Sequence, residues 1–186
     1  MKIAITGHTS GIGLALANAY SSQGHTIVGL TQSTHPQIRD IPLAIQLIES
    51  CDMFINNGHS LFTQTDLLYK VWRRWEGQKK HIIVIGSQVV TLAVPKLAQE
   101  NVFKIPHYIQ KLALDEMVKQ LRSIGMFPMI TVVNPGAVLT PTTTNMPMMK
   151  ADSEVWAKNL LKCLDVDDSL HVYEITLGVN DMIKPV

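Results

Sequence analysis

The first thirteen residues place the strongest constraint on the fold. A short apolar strand over residues 2–6 leads into a turn with three glycines, Gly7, Gly11 and Gly13, and an apolar helical stretch follows at once. Glycines let a backbone turn sharply and approach a pyrophosphate, and the N-terminus of the next helix offers free N–H groups. This order predicts the phosphate-binding corner of a dinucleotide fold. The alternative is a tight strand-to-helix turn that binds nothing.

Strand-like and helix-like stretches alternate along the whole chain. The predicted strands cover residues 2–6, 26–30, 53–56, 81–86, 129–134 and 171–177. The predicted helices cover residues 11–23, about 42–50, 64–77, 107–123 and 152–164. Near-continuous apolar strands are typical of a parallel sheet that is buried on both faces. The pattern predicts an α/β protein: a Rossmann-type doubly wound parallel sheet flanked by helices, in a single domain over residues 1–186.

Two segments depart from a regular alternation. Residues 31–52 are too few for a full crossover and a further helix, so we predict a loop, a very short strand around 37–41 and a short helix. One helix of the usual set is therefore missing. Residues 140–150 are rich in Pro and Thr and are predicted to form a loop over the ligand, with Met146, Met148 and Met149 as apolar lining.

Composition excludes several classes of function. The net charge of +1 gives no reason to expect a nucleic acid or an anionic membrane as partner. The seven His and two Cys form no metal-ligand spacing, so no metal site is expected. Cys51 and Cys163 suit a reducing cytosol. No targeting segment precedes the first strand, and no apolar run approaches the roughly 20 residues of a membrane span. We expect a cytoplasmic protein.

Four groups of polar residues lie at or just beyond the ends of predicted strands. They are Asn56-Asn57-Gly58, Gly86-Ser87, the helix start from His107 to Lys111, and Asn134-Pro135-Gly136 with Thr140 after it. In an open α/β sheet the carboxyl ends of the strands converge on the ligand crevice. These groups are therefore expected to meet there.

With these motifs in order, the chain resembles the short-chain dehydrogenase/reductase family over almost its full length. Residues 6–13 resemble the family's T-G-x-x-x-G-x-G cofactor turn, and Asn56-Asn57-Gly58 resembles its N-N-A-G without the alanine. Ser87 resembles the strand-end catalytic serine. Pro135-Gly136 with Thr140 resembles the segment that holds the nicotinamide end, and Asp40 resembles an acidic residue beside the adenine.

The resemblance implies an NAD(P)H-dependent oxidoreductase that acts on a small carbonyl or alcohol. A catalytically silent dinucleotide-binding or scaffold protein is the alternative. The residues implied in cofactor binding are Gly7, His8, Thr9, Ser10, Gly11, Ile12, Gly13, Thr31, Ser33, Asp40, Asn57, Gly58, Lys111, Pro135, Gly136 and Thr140. The residues implied in catalysis are Ser87, Tyr108, His107 and Lys111.

The sequence departs from the family at the catalytic pair, which is Tyr-x-x-x-Lys. Tyr108 and Lys111 are only three residues apart, and His107 occupies the position four residues before the lysine. The general acid is therefore either Tyr108 or His107, and an imidazole can act near neutral pH. The family's asparagine in the preceding helix has no counterpart, because residues 61–80 contain no Asn. Surface or packing roles are the alternative for each of these residues.

The end of the second strand bears on cofactor choice. An acidic residue there would bind the adenosine 2′-hydroxyl and indicate NAD, but this strand leads into Thr31, Gln32 and Ser33. Thr31 and Ser33, with Arg39 nearby and His8 if protonated, are candidates to bind a 2′-phosphate. NADP(H) is therefore favoured, and NAD(H) stays possible.

Residues 67–75 carry large apolar side chains at helical spacing. Leu67, Leu68, Val71, Trp72 and Trp75 form one face, which is expected to pack on the sheet. The resemblance adds a second interpretation, because this helix and the one at 107–123 commonly form the family's subunit interface. A homodimer or homotetramer is therefore predicted.

Overall fold

The computed structural model describes residues 1–31, 41–91, 105–145, 149–167 and 169–179. Its six strands are β1 (Lys2–Thr6), β2 (Thr26–Leu30), β3 (Met53–Asn56), β4 (His81–Ile85), β5 (Met129–Pro135) and β6 (Glu174–Leu177). Its five α-helices are α1 (Gly11–Ser22), α2 (Ile41–Glu49), α3 (Thr63–Trp75), α4 (Ile105–Ile124) and α5 (Ser153–Leu164). A short 3-10 turn covers Gln88–Thr91.

The six strands form one parallel sheet in the order β2-β1-β3-β4-β5-β6. The chain first winds outward from β1 to β2 and then crosses back over β1 to β3. The carboxyl ends of β1 and β3 therefore flank the point where the winding reverses, which is where open α/β sheets bind ligands. The predicted doubly wound α/β fold is confirmed.

Helices cover both faces of the sheet and bury two apolar layers. On one face α2, α3 and α4 pack against residues such as Phe54 and Ile82. On the other face α1 and α5 pack against residues such as Ile5 and Ile83. The four inner strands, β1, β3, β4 and β5, are buried on both sides as the sequence predicts, while the edge strands β2 and β6 are partly exposed.

The predicted helical face of α3 lies in the core. Trp72 and Trp75 are 1% and 0% exposed, and Leu67, Leu68 and Val71 are buried with them. The packing interpretation is therefore confirmed. These aromatic side chains are not available as anchors of a subunit interface.

The boundaries of several elements differ from the sequence prediction. The predicted strand 171–177 begins only at Glu174, and β4 ends at Ile85. Ile41 begins α2 rather than ending a short strand, and the rest of that predicted strand lies outside the described residues. Helix α4 begins at Ile105, because Pro106 suits the first turn of a helix, where its missing N–H costs nothing.

The start of α5 follows the prediction closely. Asp152 is the N-cap, and its carboxylate accepts hydrogen bonds from the N–H groups of Glu154 and Val155 at 3.0 and 2.9 Å. No helix in the described ranges is long and apolar enough to cross a membrane.

Candidate functional site

The glycine turn has the geometry that an anion-binding corner needs. Gly7 and Gly11 have φ angles of +69° and +52°, which side chains rarely adopt. A Cβ atom on Gly13 would lie 2.1 Å from the Gly7 carbonyl oxygen, so only glycine lets α1 start this close to β1. The side chain of the N-cap residue Ser10 caps no N–H group. The first turn of α1 therefore keeps its backbone N–H groups available to a phosphate.

The turn after β3 is tied to the glycine turn through Thr6. The Thr6 hydroxyl oxygen accepts hydrogen bonds from the N–H groups of Asn57 and Gly58 at 2.9 and 2.8 Å. The Asn57 side-chain amide donates to the Thr6 carbonyl at 2.9 Å. A Cβ atom on Gly58 would lie 3.2 Å from the Thr6 Cβ. Two turns that are about fifty residues apart in sequence thus form one wall of the crevice.

The segment after β5 reaches the same corner. A Cβ atom on Gly11 would lie 3.1 Å from Thr140 Cβ and Cγ2, so Thr140 lies against the glycine turn. Pro135 ends β5, and the N–H of Gly136 donates to the Leu177 carbonyl at 3.0 Å. The structure therefore brings the predicted Pro-Gly-x-x-x-Thr segment next to the glycine turn.

His8 packs on the end of β2. A Cβ atom on Gly29 would lie 2.1 Å from His8 Nε2, so the imidazole lies directly over that glycine. Thr31 directly follows the last residue of β2 and is also buried, at 8% exposed. The other residues predicted to read the adenosine end, Ser33 and Asp40, lie outside the described residues, as do Gln32 and Arg39.

Lys111 is buried at the carboxyl end of β4. Its side chain is 5% exposed, and Nζ donates to the Ile85 carbonyl and to Gln64 Oε1, both at 2.8 Å. Burial lowers the pKa of Lys111 to about 7. A solvated surface lysine is therefore excluded, and the amine is held in a fixed position at the crevice.

Gln64 is the residue that holds the lysine, and sequence reasoning missed it. Its amide nitrogen donates to the carbonyls of Asn56 and Ile85 at 2.7 and 2.9 Å. The side chain of Asn56 donates in turn to the Gln64 carbonyl at 2.8 Å. Gln64 lies in the first turn of α3 with no motif around it, and its partner Lys111 is 47 residues away. No sequence pattern marks such a contact.

His107 and Tyr108 lie in the first turn of α4, and of the two it is His107 that contacts another side chain among the described residues at the crevice. The ring of His107 meets the ring of His59 edge to face, with centroids 4.9 Å apart. Burial and then the charge of Lys111 lower the pKa of His107. Tyr108 is half-buried and makes no side-chain hydrogen bond or ring contact with another described residue.

Ser87 stands at the carboxyl end of β4. Its N–H donates to Asn134 Oδ1 at 3.0 Å, and its hydroxyl oxygen accepts from the N–H of Val89 at 3.3 Å. The hydroxyl therefore caps the 3-10 turn with one lone pair and keeps its own proton to donate. Helix α4 packs against this turn, which places Ser87 on the same side of the crevice as α4.

The site is the crevice at the carboxyl ends of the strands, and a cavity of about 550 Å³ lies at the opposite end of the sheet. The cavity opens between α1 and α5 at the starts of β1, β3 and β4. Its lining includes none of the predicted cofactor or catalytic residues. Within the described part of the chain, no cluster of three or more His, Cys, Asp or Glu side chains could hold a metal ion.

We expect Gln64→Leu to lower activity and to weaken the fold. Among the described residues, the variant leaves the ammonium of Lys111 with the Ile85 carbonyl as its hydrogen-bond partner, and it removes the side-chain donor that the Asn56 carbonyl accepts from. Loss of such buried hydrogen bonds costs about 1–3 kcal/mol each. Thermal unfolding measures the loss of stability in Gln64→Leu. The control is Gln120→Leu, at an exposed position on α4. Equal stability of wild type and Gln64→Leu would contradict the described role.

The fold is shared with solved short-chain dehydrogenases. A short-chain dehydrogenase from Burkholderia cenocepacia, in complex with NADP, matches with a TM-score of 0.76 and 16% identity, over 96% of this chain and 88% of that chain. The 3-alpha-hydroxysteroid dehydrogenase from a Pseudomonas species, complexed with NADH, matches with a TM-score of 0.66 and 17% identity, over 96% and 95%. L-sorbose reductase from Gluconobacter frateurii, complexed with NADPH and L-sorbose, matches with a TM-score of 0.69 and 17% identity, over 96% and 95%.

At these identities the likeness establishes the fold. The chain has the doubly wound α/β fold of short-chain dehydrogenases, as the sequence motifs predict. No protein-family model and no curated protein sequence matches the chain.

Proposed function

We propose that this chain is an NAD(P)H-dependent oxidoreductase of the short-chain dehydrogenase/reductase type that interconverts a small carbonyl compound and its alcohol. The proposal rests on one observation. The glycine turn, whose geometry suits a pyrophosphate, lies at the same end of the sheet as the buried Lys111. We also propose that residues 1–186 form a single cofactor-binding domain.

The described residues fit a dinucleotide. The pyrophosphate is held at the glycine turn and the first turn of α1, by the backbone of Thr9, Ser10, Gly11, Ile12 and Gly13. In this proposal the nicotinamide end would be held by Asn57, Gly58, Pro135, Gly136 and Thr140, of which Asn57 and Gly58 lie against Gly7 and Thr140 lies against Gly11. When bound, the nicotinamide supplies or accepts the hydride.

Each catalytic candidate has a distinct role at the carbonyl. Ser87 donates its hydroxyl proton in a hydrogen bond to the carbonyl oxygen, where negative charge develops. Lys111 binds the ribose hydroxyls and stabilises that charge. His107 or Tyr108 then donates a proton to the oxygen. We favour His107, because its ring already contacts the turn after β3, while Tyr108 makes no such contact.

We propose that NADP(H) is preferred over NAD(H). No Asp or Glu follows β2 at Thr31-Gln32-Ser33 to pair with a 2′-hydroxyl. The imidazole of His8 lies over Gly29 at the end of β2, close to where an adenosine ribose would bind. Ser33 donates to the 2′-phosphate in this proposal, and Asp40 contacts the adenine.

We propose that the protein works as a homodimer or homotetramer in the cytoplasm, with a small molecule as substrate and with no nucleic acid or membrane partner. Three apolar side chains on α4 form an exposed stripe at helical spacing: Ile105, Ile109 and Leu112 are 41%, 47% and 40% exposed. Cys163 is an exposed free thiol, which suits a reducing compartment.

We expect Ile109→Glu to dissociate the oligomer, because the charge would be buried in the interface. Light scattering of the purified protein measures the mass directly. Val155→Glu, a matched change at an exposed apolar residue on α5, is the control and leaves the mass unchanged. A monomeric wild type would contradict the proposed assembly.

Turnover of a panel of aldehydes, ketones and quinones tests the proposed activity. Oxidation of NADPH or NADH is followed at the nicotinamide absorbance, and we expect carbonyl-dependent oxidation with at least one class. Ser87→Ala is expected to lower turnover about 100- to 1,000-fold by removing one donor at the carbonyl oxygen. Unchanged turnover in both Ser87→Ala and Lys111→Ala would overturn the site assignment. Cofactor binding without turnover would favour the non-catalytic alternative.

A further inference from the structure

Two histidines that come from distant parts of the chain meet at the mouth of the crevice. His59 directly follows the Asn57-Gly58 turn, and His107 lies in the first turn of α4. Their ring centroids are 4.9 Å apart and the ring planes meet at 75°. Since the turn before His59 is fixed to Thr6 and α4 is fixed through Lys111, both rings have rigid supports.

Three side chains, His59, His107 and Lys111, form a row in which solvent exposure decreases toward the crevice. His59 is exposed, His107 is half-buried and Lys111 is buried. His107 precedes Lys111 by four residues on α4, so both lie on one face of the helix. The row therefore runs from the exposed His59 toward the buried Lys111.

Both imidazoles are held in the neutral form at neutral pH. Burial and then the charge of Lys111 lower the pKa of His107. Partial desolvation beside His107, and then the charges of Lys111 and His107, lower the pKa of His59, against a smaller opposing effect of Gln64. The groups that face the pair are thus Lys111 of α4, Gln64 of α3 and the two rings themselves.

A neutral imidazole carries one N–H donor and one acceptor nitrogen. It can accept a proton on one nitrogen while it releases the proton on the other, and it remains neutral afterwards. Such a transfer avoids a second positive charge beside Lys111. The two rings make no hydrogen bond with each other in the structure, so the transfer requires a rotation about χ2, which is soft for histidine, to bring a nitrogen of each ring toward the other.

We propose that His59 is a positioning and proton-relay residue that orients His107 and resupplies its proton from solvent. This inference rests on the proposed reductase function. In carbonyl reduction, the hydride supplied to the carbon leaves a negative oxygen that needs one proton. His107 gives its N–H proton to that oxygen and receives one from His59, which takes one from water. In alcohol oxidation the same protons move in the opposite direction.

Three substitutions of His59 separate a relay from a packing contact. His59→Phe keeps an aromatic edge against His107 but cannot carry a proton, and we expect a loss of about 100-fold in kcat with little change in KM. His59→Ala is expected to show a similar loss, and added imidazole is expected to restore at least a tenth of the wild-type rate. His59→Gln retains polarity without the relay and is expected to behave like His59→Phe.

His171→Gln is the matched control. His171 also belongs to an edge-to-face pair, with His81 at 5.6 Å, at the amino end of the strands and away from the crevice. We expect His171→Gln to leave kcat unchanged.

A measurement without cofactor completes the test. Exchange of the His107 ring N–H with solvent, followed by NMR, is expected to slow about tenfold or more in His59→Phe. Wild-type kcat and wild-type exchange in His59→Phe would overturn the relay. If the wild type itself neither binds NAD(P)H nor reduces a carbonyl, the proposed function fails instead, and the exchange rate then decides the relay alone.

Discussion

Replacing Lys111 by Met is expected to lower kcat about 100-fold or more, because it removes the buried cation from the proposed reaction centre. Methionine fills a similar volume, so the variant is expected to fold. Lys119→Met on the same helix is the matched control, since Lys119 is exposed and pairs with Asp115 at the surface. Steady-state kinetics with NADPH compares the two. A Lys111→Met enzyme with wild-type turnover would remove this lysine from the mechanism.

The same variant is expected to change how stability depends on pH. The pKa of Lys111 is about 7 in the fold and is close to 10.4 in the unfolded chain. Between these values the unfolded chain binds more protons, so the free energy of unfolding rises with pH. The stabilisation is full above the unfolded pKa and is lost as the pH falls toward the folded pKa.

Urea unfolding between pH 7 and pH 10 measures this effect. We expect wild type to gain about 3 kcal/mol relative to Lys111→Met across that range. Lys119→Met is expected to follow wild type. Parallel curves for wild type and Lys111→Met would mean that the lysine is not buried in solution.

Gly13→Ala is expected to abolish tight cofactor binding and to destabilise the fold by about 3 kcal/mol or more. The new Cβ would lie 2.1 Å from the Gly7 carbonyl oxygen and 2.6 Å from Asn57 Nδ2. The first contact is with backbone, so the start of α1 must move away from β1. That movement opens the phosphate corner and separates it from the turn after β3.

Gly125→Ala is the control for this substitution. A Cβ atom there meets nothing within 4 Å, and Gly125 has no positive φ. Thermal unfolding and NADPH titration are compared for both variants. Wild-type affinity in Gly13→Ala would show that the glycine turn does not form the cofactor site.

The fold followed from the sequence because its signals are local. Short apolar runs such as residues 53–56 and 81–85, rich in β-branched or aromatic residues, favour buried strands. Asp152 marks the start of α5 by capping its N-terminus. The predicted helix 107–123 begins two residues later than α4, which includes Ile105 and Pro106 in its first turn. The start of β6 depends on pairing with β5, which no local pattern reports.

The sequence predicts the residues of the candidate site only where they belong to a motif within one continuous segment of the chain. The glycine turn, Asn57-Gly58, Ser87 and Thr140 belong to such motifs. Gln64 and His59 do not, because each gains its role from a residue more than forty positions away. The depth of Lys111 was not predictable either, since burial of a lysine depends on the partners that the fold supplies.

Titration of the purified protein with NADPH and with NADH, followed by nicotinamide fluorescence, tests the proposed cofactor site. We expect saturable binding of NADPH, with a dissociation constant about tenfold or more below that of NADH, and loss of that binding in Gly13→Ala. Tighter binding of NADH would reverse the cofactor preference. No binding of either nucleotide would contradict the cofactor site and, with it, the proposed oxidoreductase function.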